Sequence, residues 1–174
     1  MRVRLGTDAD IPSIMDIVQR AIPIMHAVGN YQWDGVTYPL NEHFHADVLK
    51  SQLWVADSDD GIVAGFAALT KDQSDEYADA GCDLSMPAIV PHRMAVDVSF
   101  RRQGVALLLF DKAEELARDN GYTLVRVDTN SGNSSMNKLI LKADYRFMGE
   151  INLDGLGDMK FNCYEKTVGW DRYL

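Results

Sequence analysis

At 174 residues the chain has room for one domain with a sizeable core, and 47% hydrophobic with 25% charged residues is ordinary globular composition. The net charge of −9 argues against a nucleic-acid binder, which needs a basic face, and mildly favours a cationic small molecule as partner. No run approaches the roughly 18 apolar residues of a membrane span, and MRVRLGTDAD lacks the apolar stretch and cleavage site of a signal peptide, so a cytoplasmic location is expected.

Arg2–Leu5 reads as a short strand. In TDADIPSIMDIVQRAIPIM (7–25), Asp8 or Asp10 supplies a helix N-cap and Pro12 stands in the first turn. Ile14, Ile17, Val18 and Ala21 then recur at helical spacing, with Pro23 and Gly29 expected to close the helix. NYQWDGVTYPL (30–40) is an aromatic-rich loop, and a second helix is predicted over 42–51 with Phe44, Val48 and Leu49 inward. Two apolar runs around Asp59-Asp60-Gly61 predict a hairpin over 53–70. The acidic connection 71–86, with Asp72, Asp75, Glu76, Asp79 and Asp83, is either a solvated flap or one wall of a cleft.

After Pro87, residues 88–98 are apolar on both faces, which marks a central strand, with Pro91 hinting at a bulge or edge. A helix over 104–120 should stop at Gly121 in the left-handed conformation. A strand over 123–129, a helix over 134–142 and a last strand over 160–168 complete the pattern. The order is α+β in one domain: antiparallel hairpins, then a strand–helix–strand crossover around 88–129. Cys82 and Cys163, the two cysteines, lack metal-ligand spacing and are expected to be reduced packing residues, with no metal site.

VDVSFRRQGVALLLF (96–110) carries the chemistry. Between Asp97 and Asp111 it holds Arg101 and Arg102 and no acid, just ahead of an apolar helix. The first amides of that helix have no intrahelical partner, the helix dipole is positive there, and Gly104 offers no side chain to obstruct a ligand. Together these features suit an anion, a pyrophosphate above all; the plain alternative is a pair of solvated arginines beside a buried helix.

Val96-x4-Arg101-x2-Gly104-x-Ala106 resembles the acyl-CoA motif of the GNAT acetyltransferase superfamily. RLGTDADIPSIMDIVQRA (4–21) is similar to that family's opening strand and helix, and DTNSGNSSMNKLILKADYRFMGEI (128–151) to its later strand–asparagine–helix segment. The resemblance implies a mixed, mostly antiparallel twisted sheet of six to seven strands flanked by about four helices. It also implies an N-acetyltransferase that moves an acetyl group from acetyl-CoA to a primary amine of a small molecule or peptide, by direct attack in a ternary complex.

On this resemblance the backbone of Met94 and Val96 pairs with the pantetheine arm, where the central strand splays from its neighbour, and an amide there holds the developing oxyanion. The amides of Gln103, Gly104, Val105 and Ala106, with Arg101 and Arg102, take the pyrophosphate. Asn133 contacts the pantetheine or phosphate arm, or alternatively caps the next helix. His92 is the candidate base for the amine; a packing histidine, with water relaying protons to an acid, is the alternative. Trp33, Asp34 and Tyr38 are candidates for holding the acceptor, or anchors of a well-packed loop.

Departures from the family pattern are Ile140 in place of the tyrosine that protonates the thiolate, Asp144-Tyr145 in place of a Gly-Phe pair, with a core role favoured for Tyr145, and Val98 in place of a proline. Dimers are common among relatives. The missing tyrosine leaves a non-catalytic acyl-CoA sensor as a second reading. A dinucleotide-binding domain is a third, resting on Gly104 alone of the glycine fingerprint and on Asp128 downstream. No Gly-Lys-Ser/Thr phosphate loop occurs.

Overall fold

The computed structural model describes residues 1–169. The strands are β1 (Arg2–Leu5), β2 (Leu53–Asp57), β3 (Val63–Thr70), β4 (Ala88–Val96), β5 (Leu124–Asn130), β6 (Arg146–Asn152) and β7 (Lys160–Thr167). The α-helices among the described residues are α1 (Ile11–His26), α2 (Asn41–Leu49), α3 (Val105–Asp119) and α4 (Ser134–Lys142). The seven strands form one open sheet in the order β1-β2-β3-β4-β5-β7-β6. It is antiparallel from β1 to β3 and from β5 through β7 to β6, and parallel between β4 and β5, where Ala88 pairs with Leu124 and Ile89 with Val125. No described helix is long and apolar enough to cross a membrane.

Two compact units interleave along the chain: residues 1–70 with 91–112, and residues 71–90 with 113–169. In the first, Ile11, Ile14, Ile17, Val18 and Ile22 form the apolar stripe of α1 and pack with Trp33, Phe44, Leu53, Val55 and Phe66. Pro23 does not end this helix, which runs on to His26. It lies on the exposed face, so the bond it cannot donate is left to water. Asp10 occupies the N-cap position without capping; its carboxylate accepts from the amide and hydroxyl of Thr7 and from Arg4, closing a 3-10 turn over Asp8–Asp10. In α2, Leu49 is 87% exposed while Asp47 is buried. Phe44, Asp47 and Val48 share a face at spacings of three and four, and Leu49 falls about 100° away from Val48.

The second unit has its own core of Tyr77, Ala80, Cys82, Val90, Ile151, Phe161 and Cys163. The connection 71–86 is therefore more than a flap: Asp72, Asp75, Asp79 and Asp83 are exposed, but a 3-10 turn over Asp75–Ala80 carries Tyr77 into the core, where its hydroxyl donates to Asp128 at 2.5 Å. The two thiols lie 3.9 Å apart, in hydrogen-bond contact and without a disulfide, and burial pushes both up from the ordinary cysteine range. β6 has no counterpart in the sequence reading. It is a mostly exposed edge strand with a register shift between Phe147 and Gly149, so it lacks clean alternation of apolar and polar residues.

All four helices end in the same hydrogen-bond pattern, in which one amide past the helix donates five residues back and the amide before it donates three residues back. The pairs are Asn30 to Met25 with Gly29 to His26, Gln52 to Asp47 with Ser51 to Val48, Tyr122 to Ala117 with Gly121 to Arg118, and Tyr145 to Ile140 with Asp144 to Leu141. The pattern requires a left-handed residue, and Gly29 and Gly121 supply it without strain, whereas Ser51 (φ 53°) and Asp144 (φ 64°) do so against their Cβ. Ser51→Gly and Asp144→Gly should each raise stability by about 0.5–1 kcal/mol, and Gly121→Ala should lower it by about 1 kcal/mol. Urea unfolding midpoints check all three, and a loss of stability in both glycine variants would contradict the strain assignment.

Candidate active site

The first unit builds a rigid approach to the turn at 101–104. At the end of β4, buried Asp97 accepts from the Ser99 amide at 2.8 Å and pairs with Arg20 of α1 at 2.6 Å. This fixes a short 3-10 turn, Val98–Phe100, whose Ser99 carbonyl accepts from the Gln103 side chain at 3.1 Å. Arg101, Arg102, Gln103 and Gly104 are all exposed, and the chain dives inward at Val105, which is 1% exposed. Ala106 is half-buried in the first turn of α3.

The backbone of this turn is unusual. Arg102 (φ 62°) and Gly104 (φ 83°) are left-handed, with Gln103 between them on the ordinary side. Alternating handedness turns successive amides toward one concave side, which is how main-chain nests bind anions. A side chain on Gly104 would meet nothing within 4 Å, so open space faces the turn. The residues present therefore fit a diphosphate: free amides, two flexible guanidinium groups and no acid.

Gly65 of β3 is a supporting residue that the sequence reading missed. A Cβ there would lie 2.8 Å from Cγ1 of Val105 and 2.9 Å from the Ala95 carbonyl oxygen, so only glycine lets β4 and the start of α3 come this close. Its signal, a glycine inside an apolar strand run, is present in the sequence but does not say what approaches.

β4 changes character along its length. Ala88–Pro91 are buried, as an interior strand requires, whereas His92, Arg93, Met94, Ala95 and Val96 are only half-buried. The irregularity hinted at by Pro91 falls at Arg93, whose φ of 45° is rare for a residue with a long side chain. Arg93 grips the buried Asp47 of α2 through Nε (2.8 Å) and Nη2 (2.6 Å), and its Nη1 donates to the Tyr38 hydroxyl at 3.2 Å. Neither Asp47 nor Arg93 stood out in the sequence, because their pairing joins residues 46 positions apart.

Trp33 is buried against Phe66, with ring centroids 6.5 Å apart. The exposed Asp34 ties its own loop, accepting from the amides of Val36, Thr37 and Tyr38 and from the Thr37 hydroxyl, bonds that hold its carboxyl well below the usual range. Tyr38 is half-buried, with its ring edge-on to His43 at 5.0 Å. In the second unit, Asn133 is the N-cap of α4 and accepts from the Met136 amide at 3.2 Å. Ile140 is fully buried and Tyr145 is 3% exposed. Asp144, where the family pattern has glycine, keeps the left-handed backbone that glycine would supply.

Comparison with known proteins fits this geometry. The family model for the acetyltransferase (GNAT) domain matches residues 50–146, more than half of the chain. A GNAT-family acetyltransferase from Streptococcus agalactiae superposes with a TM-score of 0.79 at 26% identity, over 95% of this chain and 94% of that one. The putative acetyltransferase yncA of Salmonella typhimurium, solved with its cofactor acetyl-CoA, has the same fold (TM-score 0.70, 15% identity, 97% and 94% covered). The ribosomal-protein-alanine N-acetyltransferase of Brucella melitensis also shares it (TM-score 0.70, 17% identity, 96% and 99% covered). No match was found among curated protein sequences. With the family's motif on an exposed turn and its domain model matching more than half of the chain, the chain belongs to the GNAT acetyltransferase family.

Proposed function

We propose that the protein is an acetyl-CoA-dependent N-acetyltransferase acting on a primary amine of a small molecule or peptide by direct attack in a ternary complex. The observation that carries this reading is the exposed Arg101–Gly104 turn, left-handed at Arg102 and Gly104, leading into a helix whose first residue is anchored in the core. The amides of Gln103, Gly104, Val105 and Ala106 hold the diphosphate, and Arg101 and Arg102 add charge. Met94 and Val96, in the half-buried part of β4, present main-chain groups to the pantetheine arm, and an amide there stabilises the oxyanion. Acetyl-CoA supplies the electrophilic thioester carbonyl. His92, two residues before Met94, takes the proton from the attacking amine, since an ammonium has no lone pair to donate. Asn133 lies in the segment that the family places beside the pantetheine arm; its carboxamide oxygen already caps α4, and its amide nitrogen is the group that would reach outward.

A second reading has one observation in its favour. Ile140, buried and aliphatic, occupies the position where the family carries its thiolate-protonating tyrosine. On that reading the protein binds acyl-CoA without turnover.

Incubation with acetyl-CoA and a panel of primary amines, followed by thiol release, separates the two. Release of CoA supports the transferase, and thermal stabilisation without release supports the sensor. His92→Ala should lower kcat by about 10²–10⁴-fold with little change in acetyl-CoA affinity. A pH–rate profile that this variant leaves unaltered would remove His92 as the base.

A further inference from the structure

Arg4, Arg93 and Arg126 have side chains 31%, 18% and 1% exposed. A guanidinium presents five N–H groups and two edges that each match a carboxylate. Arg4 fills both edges: Nε and Nη2 lie on Asp57 at 2.6 and 3.1 Å, and Nη1 and Nη2 lie on Asp10 at 2.9 and 2.8 Å. Arg126 likewise spends Nε on Glu165, Nη2 on the Asp83 carbonyl, and Nη1 on Gln73 and the Met86 carbonyl.

Arg93 is half of the Arg4 arrangement. Its Nε and Nη2 lie on Asp47 at 2.8 and 2.6 Å, as those of Arg4 lie on Asp57. On its Nη1/Nη2 edge, the one partner among the described residues is the Tyr38 hydroxyl, 3.2 Å from Nη1. Two N–H groups of a mostly buried arginine are thus left for something else, and desolvated donors are costly to leave unmet. The Tyr38 oxygen accepts from Arg93, so its own proton is available to donate in turn.

The tyrosine is held for this task. Its amide donates to Asp34 at 3.0 Å, its carbonyl accepts from the Asp34 amide at 3.0 Å, and its ring meets the edge of His43. The His43 ring is itself fixed by the Leu40 amide, which donates to Nδ1 at 2.9 Å.

We propose that the Nη1/Nη2 edge of Arg93, with the Tyr38 hydroxyl, is a carboxylate-binding site, and that the acceptor is a small amine that also carries a carboxylate. The inference rests on the transferase reading, which assigns the thioester to the main chain at Met94 and Val96, next to Arg93 in the chain. It reverses the expectation of a cationic acceptor: the acid that would have held a cation, Asp34, is consumed by its own loop. A carboxylate end-on to Arg93 reproduces the arrangement that Asp10 and Asp57 already make around Arg4, one guanidinium between two carboxylates.

The test uses matched acceptors with and without the carboxylate: L-lysine and 1,5-diaminopentane, L-tyrosine and tyramine, L-ornithine and 1,4-diaminobutane. Thiol release is followed with acetyl-CoA saturating. For the preferred pair, kcat/KM should favour the acid by at least about tenfold, and Tyr38→Phe should reduce that ratio about tenfold, mainly through the KM for the acid. Arg93→Lys should abolish the preference, but it also disturbs the buried Asp47, so Tyr38→Phe is the deciding variant.

Equal or better turnover of the decarboxylated partners, or a ratio untouched by Tyr38→Phe, overturns the proposal while leaving the transferase reading standing. Stabilisation by acetyl-CoA with no thiol release from any amine counts against the transferase reading instead. In that event calorimetric titration of the three amino acids into the CoA-bound protein decides the site: binding weakened about tenfold by Tyr38→Phe upholds it, and absent or unaltered binding overturns it.

Discussion

Arg126→Ala is expected to lower the free energy of unfolding by about 3–5 kcal/mol, the largest stability effect of any single change considered. The guanidinium is 1% exposed and joins three parts of the second unit. It donates through Nε to Glu165 of β7 at 2.7 Å and through Nη2 to the Asp83 carbonyl at 3.0 Å, while Nη1 serves Gln73 and, at 3.4 Å, the Met86 carbonyl. Truncation leaves a cavity, the Gln73 carboxamide oxygen without its donor, and the Glu165 carboxylate, 13% exposed, with Arg146 at 3.7 Å as its remaining ion pair among the described residues.

The urea midpoint should fall with the slope unchanged, and the connection 71–86 should become the preferred site of proteolysis, since Arg126 ties it to β5 beside the Tyr77–Asp128 bond. Arg126→Met, which restores volume but not the donors, should recover little. Adding Glu165→Gln to it should recover part of the loss by removing the stranded charge. A cost below about 1 kcal/mol for Arg126→Ala would mean that water replaces the arginine's bonds and that the connection is held by Tyr77 and Cys82 instead.

Gly104→Glu is expected to weaken acetyl-CoA binding by at least about 100-fold, equivalent to about 2.7 kcal/mol. Two effects must be separated. The residue is left-handed at φ 83°, so any side chain costs about 1–2 kcal/mol of backbone strain, but a Cβ meets nothing within 4 Å and no clash adds to it. Gly104→Ala carries the strain without the charge and should lose stability with only modest loss of affinity. Glutamate adds a carboxylate where a diphosphate is expected to lie, against both the amides and the arginine pair. Calorimetric titration of acetyl-CoA into both variants, beside their melting curves, isolates the electrostatic part. Wild-type affinity in the glutamate variant would move the diphosphate site elsewhere.

Legibility followed the range of the interactions involved. The hairpin at 53–70, the helix at 134–142 and the left-handed stop at Gly121 were readable because spacing, turn residues and caps are local. The exposed turn before α3 was readable for the same reason: two arginines, a glycine and a helix start are contiguous. β6 was not, since an exposed edge strand with a register shift carries neither helical nor alternating periodicity. Pro23 misled because a proline's effect depends on whether its helix face is solvated, which no local pattern records. Leu49 misled because Asp47, one turn after Phe44, took the inward place once Arg93 arrived to neutralise it.

By itself the sequence determined the family, the chain order of nearly all elements and the position of the turn proposed to meet the diphosphate, because each rests on residues close together in the chain. Tertiary structure decided everything about charge in the interior. Which carboxylates face arginines, which arginine keeps an edge free, and whether Asp34 serves a ligand or its own loop all depend on partners that only folding brings within 3 Å or so of one another. A charged side chain is tolerated inside only by such partners, and pairing across distant segments has no periodicity to read.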